Sequence, residues 1–281
     1  MNIKALQKEY IQSLSRFYDA DEAKAIFNLS VISILGINQS ELLLPTDKEL
    51  DTKDLDKLNK VLKELSTGMP IQQILGETIF YKLPFKITAD VLIPRPETEE
   101  LVDWMITELK DKNKSLLDIG TGSGCIPITL KKNLPQLDVS AIDVSANALS
   151  IAKENASLNK VEVNFIEADI LNYSSDIKYD VIVSNPPYIR EVEKADMHEN
   201  VLAHEPHLAL FVSDENPLIF YDAISDFALK NLNPNGYLFF EINEYLWAET
   251  LQILMDKRFK NIELKKDMQG KDRMVLARTN P

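Results

Sequence analysis

Two short strings in this 281-residue chain hold residue types suited to chemistry. One is Asn185-Pro186-Pro187-Tyr188, which follows the apolar run from Asp180 to Ser184. The side-chain oxygen of Asn185 and the carbonyl of Pro186 can accept both N–H bonds of a single NH2 group. Paired acceptors raise the electron density on a planar nitrogen and fix its line of approach to an electrophile. The two prolines stiffen the backbone that carries them. Tyr188 offers a flat face for stacking. Together these four residues form a candidate catalytic site for alkylating an amide or aromatic amine. No general base is required, because the nitrogen's proton becomes acidic only after alkylation and can leave to water.

The second string is Asp118-Ile119-Gly120-Thr121-Gly122-Ser123-Gly124, at the end of an apolar strand. Glycine lets the backbone turn tightly and lets a ligand approach with no Cβ in the way. The helix that follows aims free N–H groups at the loop. The dinucleotide-binding fingerprint places its last glycine one position later. Here the acid Asp118 would also repel a pyrophosphate, although it can hold an ammonium. S-adenosylmethionine has an ammonium, a sulfonium and no phosphate, so the spacing favours it over NAD. Asp143 ends the next strand and could accept the ribose hydroxyls; capping the helix after Ser145 is its competing role. Asp169 follows the third strand and could accept from the adenine amino group while Ile170 packs on the ring. The candidate cofactor site is thus Asp118, Gly120, Thr121, Gly122, Ser123, Gly124, Asp143, Asp169 and Ile170, with Asn185 adjoining.

Other groups suggest less. His198, His204 and His207 fit no common zinc spacing, and no metal is expected. Cys125, the only cysteine, excludes an internal disulfide and reads as a small packing residue. The net charge of −13 disfavours nucleic acid as the main partner. Lys265-Lys266, a basic pair, is followed at once by Asp267. No membrane span or signal peptide is expected, and a cytoplasmic monomer is the default.

The elements that must position these residues follow from periodicity. Residues 1 to about 67 read as helical. Leu6, Tyr10, Leu14 and Phe17 form one stripe. A second helix runs from Asp19 or Asp21 to Leu35 with Gly36 as its stop, and a third runs from Asp51 to Leu65. Pro45 is expected to end a short turn. Residues 77 to 93 read as a β-hairpin turning at Leu83-Pro84. From residue 114 strands and helices alternate, which predicts a mostly parallel sheet with helices on both faces.

Taken together these strings resemble the PrmC/HemK family of protein-(glutamine-N5) methyltransferases, over essentially the whole chain. The likeness includes Gln72–Gly76 with Phe80 and Phe85, the segment from Val91 to Glu99 (VLIPRPETE), and Asp118–Gly124. It continues through Asn185–Ile189, Glu205-Pro206 before Ala209-Leu210, and Asp267–Arg273. Adenine-N6 methyltransferases of nucleic acid share Asn-Pro-Pro-Tyr, and remain the alternative; the segment Ile93–Glu99 separates the two. The resemblance implies a class I methyltransferase domain with a seven-stranded, Rossmann-like sheet, at residues 96–281. It also implies an N-terminal helical docking domain at 1–70 and a hairpin linker at 71–95. S-adenosylmethionine would be held by Gly120–Gly124, Asp143 and Ile170. The substrate would be the glutamine of a Gly-Gly-Gln motif in class 1 peptide chain release factors, held by Asn185–Tyr188. The chain departs from the family's usual pattern at Val212–Pro217, and at Ile242 and Asn243 after Glu241.

Overall fold

The computed structural model describes residues 1–42, 49–110 and 114–281, the side chains of residues 196 and 199 excepted. Pro45 lies outside the described residues. The chain forms two compact units: Met1–Glu77 with His198–His204, and Thr78–Met197 with Glu205–Pro281.

The first unit holds α1 (Ile3–Leu14), α2 (Ala20–Leu35), the single turn α3 (Gln39–Leu42), α4 (Thr52–Leu65) and α5 (Ile71–Leu75). Side-chain caps set its helix boundaries. Asp19 accepts from the backbone N–H groups of Asp21 and Glu22, and Asp51 accepts from Asp54. Gly36 closes α2 at a φ of 62°, where a Cβ would be strained. Leu6, Tyr10 and Leu14 are fully buried on one face of α1, whereas Phe17 falls beyond the helix end. The Tyr10 hydroxyl donates to the Leu58 carbonyl at 2.6 Å, and its ring meets Phe27 edge-on. A return of the chain was not foreseen: Asn200 donates to the Tyr18 hydroxyl, and Gln73 donates to the His204 carbonyl.

In the second unit, β1 (Glu77–Phe80) and β2 (Leu83–Lys86) form the expected hairpin, but it turns at Tyr81-Lys82 and not at Leu83-Pro84. Both turn residues have positive φ, the geometry that matches the twist of a two-residue hairpin. Glu99 accepts from the Tyr81 backbone N–H and Asp103 from its hydroxyl, and these distant partners were not legible locally.

The remaining elements are α6 (Pro96–Leu109), β3 (Ser115–Ile119), α7 (Cys125–Asn133), β4 (Asp138–Asp143), α8 (Ala146–Asn159), β5 (Asn164–Glu167) and β6 (Tyr179–Ser184). Then come the short pair β7 (Ile189–Arg190) and β8 (Phe211–Val212), with α9 (Glu199–His204, part of the first unit) and α10 (His207–Leu210) between them. The chain ends with α11 (Ile219–Asn231), β9 (Leu232–Glu241), α12 (Trp247–Asp256), β10 (Lys260–Lys266) and β11 (Asp272–Arg278).

The seven-stranded sheet has the order β10-β11-β9-β6-β3-β4-β5. It is parallel from β9 to β5, and β11 and β10 add antiparallel. Alternate residues of its strands supply two cores. Leu116, Val181, Val183, Phe239 and Leu276 face one side; Leu117, Ile182, Leu238, Phe240 and Val275 face the other. Burial on both faces explains why these strands read as continuous apolar runs. Among the described residues, no helix is long and apolar enough to cross a membrane.

Phe239 is fully buried and meets Trp104 edge-on at 5.6 Å. Phe239→Ala is expected to cost about 3–5 kcal/mol of folding stability, read by denaturant unfolding. A loss of under about 1 kcal/mol would place this ring outside the core that aligns the sheet.

Candidate active site

The chain steps outward from β3 through β4 to β5, then returns to β6 on the other side of β3. Ligands in open parallel sheets sit at such a reversal, beyond the carboxyl ends of the strands. Register makes the reversal exact here: Ile119 pairs with Ser184, and Ser184 pairs with Phe240. The next residues, Gly120, Asn185 and Glu241, therefore leave three adjacent strands at one level. The Ser184 hydroxyl locks the centre by donating to the Ile119 carbonyl at 2.7 Å.

A cavity of about 270 Å³ opens at this level. Gly120, Thr121, Gly122, Ser123, Asp143, Asp169, Ile170, Asn185, Pro186 and Pro187 line it, so most of the expected site is brought together. Asp118, Gly124 and Tyr188 are not on its wall.

The glycine loop is held from below. The Ile142 carbonyl accepts from the backbone N–H groups of both Gly120 and Thr121. Asp143 Oδ2 accepts from Gly122 at 2.8 Å, and Oδ1 accepts from Ser145 at 2.9 Å. A Cβ added to Gly120 or Gly122 would meet no protein atom within 4 Å, so the space above them is open to a ligand. Gly124 serves another purpose. A Cβ there would strike Ile128 at 2.8 Å and Ala152 at 3.2 Å, so its absence lets α7 and α8 pack closely.

Asp118 lies fully buried under the loop, and among the described residues neither carboxylate oxygen has a partner within hydrogen-bond distance. Burial pushes its carboxyl up to about 7; the Thr121 hydroxyl opposes the rise and the negative Asp143 adds to it. Burial also raises the Asp143 carboxyl, against the pull of the Ser145 and Gly122 N–H groups. Each Asp143 oxygen keeps a further lone pair for a ligand hydroxyl. Asp169 organises its own turn, accepting from Leu171 N–H and from the Asn172 side chain. Cys125 is also on the wall, and burial pushes its thiol up to about 12, so it remains a neutral packing group.

Asn185 is anchored by residues that sequence reading passed over. Its Nδ2 donates to Thr98 Oγ1 at 3.3 Å, and the Thr98 hydroxyl donates to Glu241 Oε2 at 2.6 Å. The Tyr188 hydroxyl donates to Glu241 Oε1 at 3.1 Å. Asn243, one of the departures from the family pattern, donates from its side chain to the Tyr188 carbonyl at 2.9 Å and so braces the loop. Elsewhere on the wall Arg95 donates to the buried Glu205 at 2.6 Å, and Glu205 also accepts from the Ile93 N–H. That ion pair pins the two-proline segment beside the cavity. The placement of Thr98 within Ile93–Glu99 was the available signal; Glu241, 143 residues further on, gave none.

The donor set fits S-adenosylmethionine. The loop leaves open space, Asp118 and Asp143 make the surroundings negative, and the basic residue on the wall, Arg95, is already paired with Glu205. An ammonium and a ribose suit this lining, whereas a phosphate does not.

Comparison with known proteins agrees with this geometry. Residues 6–76 match the family model described as PrmC N-terminal domain, and residues 98–209 match the Methyltransferase small domain. A release factor glutamine methyltransferase of Flavobacterium psychrophilum is 49% identical over 98% of both chains. One from Bacteroides thetaiotaomicron is 41% identical over 95% of this chain and 96% of its own. The fold is shared with the Thermus thermophilus 16S rRNA N2 G1207 methyltransferase, solved with AdoMet and guanosine. That likeness has a TM-score of 0.54 at 16% identity, covering 73% of this chain and 50% of the other.

The Asp118 charge gives a pH signature. Its folded value lies above the unfolded one, so its ionisation costs nothing below the unfolded value, near 4, and the cost is complete once pH has risen through about 7. Asp118→Asn, which keeps the shape and removes the charge, is expected to gain thermal stability over the ligand-free parent as pH rises from 4 to 7, and to hold that gain above 7. A difference in Tm that stays constant across this range would contradict the assignment.

Proposed function

The chain belongs to the release factor glutamine methyltransferase family, and from that footing we propose that it transfers a methyl group from S-adenosylmethionine to the side-chain amide N5 of glutamine, in the Gly-Gly-Gln motif of class 1 peptide chain release factors. The observation that carries this reading is Asn185 on the cavity wall, one strand from the glycine loop and held by Thr98.

S-adenosylmethionine, when bound, supplies an electrophilic methyl carbon on a sulfonium. The protein's own residues do the rest. The N–H groups of the glycine loop bind the amino-acid end, the Asp118 carboxylate buried beneath them supplies negative charge toward its ammonium, and Asp143 takes the ribose hydroxyls. Asp169 and Ile170 hold the adenine. The Asn185 oxygen and the Pro186 carbonyl accept the two N–H bonds of the glutamine amide. Those bonds orient the nitrogen lone pair and raise its electron density as positive charge develops there. Pro186 and Pro187 keep both acceptors preorganised, so little reorganisation is needed when the amide reacts. Tyr188, behind the cavity wall, anchors the loop through its hydroxyl to Glu241. Once the N–C bond forms and the C–S bond breaks, one of the two original N–H protons of the alkylated nitrogen leaves to water. The first unit's helices dock the release factor, which works in the cytoplasm.

The test uses labelled S-adenosylmethionine with either a purified class 1 release factor or an adenine-containing oligonucleotide, and locates the label by mass spectrometry. Label on the Gly-Gly-Gln glutamine is expected. Transfer to adenine alone would overturn the reading in favour of a nucleic-acid methyltransferase. Within the same assay, Asn185→Ala is expected to lower kcat about 100-fold, the effect of losing one positioned acceptor worth on the order of 3 kcal/mol. Its dissociation constant for S-adenosylmethionine should change only a few-fold. An unchanged kcat would remove Asn185 from the mechanism.

A further inference from the structure

Glu241 ends β9 with a carboxylate almost entirely shielded from solvent, and no step of the methyl transfer uses it directly. Its two oxygens are both engaged, by the Thr98 hydroxyl at 2.6 Å and the Tyr188 hydroxyl at 3.1 Å. Thr98 in turn faces the Asn185 amide at 3.3 Å. The sense of these bonds follows from proton counting. An ionised carboxylate only accepts, and a threonine hydroxyl has one proton to give. The Thr98 proton is therefore committed to Glu241. What Thr98 presents to Asn185 is lone pairs, and lone pairs select the NH2 end of the amide.

The two ends of a carboxamide have nearly the same size and shape, so packing alone does not choose between them. For this site the choice decides the chemistry. With Nδ2 on Thr98, the oxygen is the end left to accept from a substrate NH2. In the opposite sense, an NH2 would face an NH2, one acceptor would be lost, and the Asn185 oxygen would meet the Thr98 lone pairs.

We propose that Glu241 is a positioning residue which, acting through Thr98, sets the sense of the Asn185 amide and so keeps its oxygen toward the substrate nitrogen. The proposal rests on the glutamine-methylating reading, because only an NH2 substrate requires an oxygen there. Supporting contacts keep the relay fixed. The Tyr188 hydroxyl holds the second Glu241 oxygen, so the carboxylate is tethered at both ends. The Tyr221 hydroxyl donates to the Glu241 carbonyl, and Asn243 N–H donates back to Tyr221. Arg273, itself held by Asp267 and the Ile242 carbonyl, provides a positive charge that favours the ionised carboxylate against the effect of burial. The relay joins three segments far apart in the chain: the Ile93–Glu99 string, the loop after β6 and the end of β9. It gives the first of these a reason to contain a hydroxyl at position 98.

The test compares Thr98→Val, which removes the hydroxyl but keeps the branched shape, with Thr98→Ser, which retains the hydroxyl. Both are measured in the full chain with S-adenosylmethionine and a purified release factor. For Thr98→Val we expect kcat to fall ten- to a hundredfold, while KM for the release factor and the dissociation constant for S-adenosylmethionine stay within threefold. Thr98→Ser should return kcat to within threefold of the parent. Thr98→Val at parental kcat, or Thr98→Ser impaired as deeply as Thr98→Val, would overturn the proposal. A second measurement needs no turnover. In the 15N-labelled protein, the Asn185 side-chain NH2 signals, assigned by their loss in Asn185→Ala, should exchange slowly with solvent in the parent and fast in Thr98→Val. Fast exchange in the parent itself would sink the relay. Slow exchange there, with no methylation of any release factor, would leave the relay standing and remove the substrate reading alone.

Discussion

A neutral amide nitrogen is a poor nucleophile because its lone pair is shared with the carbonyl, and only acceptors already in place can raise its electron density without first reorganising. On the proposed reading, the hydrogen bond from Asn185 to Thr98 meets that constraint by leaving the amide oxygen for the substrate. The bond depends on Glu241 behind Thr98, and Glu241 reaches that point because β9 and β6 are in register at Phe240 and Ser184. The same register sets the glycine loop beside Asn185 through β3. Two layers of apolar side chains, one on each face of the sheet, hold that register. Packing chemistry thereby reaches Asn185 within a few covalent and hydrogen bonds.

The electrostatics of the site cut against folding in the absence of a ligand. Asp118 is fully buried with no hydrogen-bond partner among the described residues, and the part-buried Asp143 beside it is held by backbone N–H groups. Uncompensated buried charge is costly, and such cost persists where a ligand repays it. On the proposed reading, the ammonium and sulfonium of S-adenosylmethionine would do so. The separate pairing of Arg95 with Glu205 keeps the wall's own cation from filling that role.

Much of the site was legible because local chemistry dictated it. Glycines at alternate positions after an apolar strand can hardly serve a regular element, and Asn-Pro-Pro-Tyr after another strand cannot continue it. Helix limits at Asp19, Gly36 and Asp51 were readable for the same reason, since caps are local. What escaped notice was tertiary. The hairpin turns at Tyr81-Lys82, where Glu99 and Asp103 hold it, overriding the proline that suggested a turn two residues later. Gly124 looked identical to its two neighbours, yet α8 claims it for packing. Asn243 stood out only as a departure, and its donation to the Tyr188 carbonyl appears only once β9 and the loop after β6 lie side by side. The return of His198–His204 to the helical unit follows no periodic signal at all.

The most direct measurement is a crystal structure of the protein with S-adenosylhomocysteine and a peptide containing Gly-Gly-Gln. The account predicts the glutamine side-chain nitrogen within about 3 Å of both Asn185 Oδ1 and the Pro186 carbonyl oxygen, facing the cofactor's sulfur. A glutamine nitrogen bound elsewhere, with the Asn185 side chain turned away from it, would contradict the account.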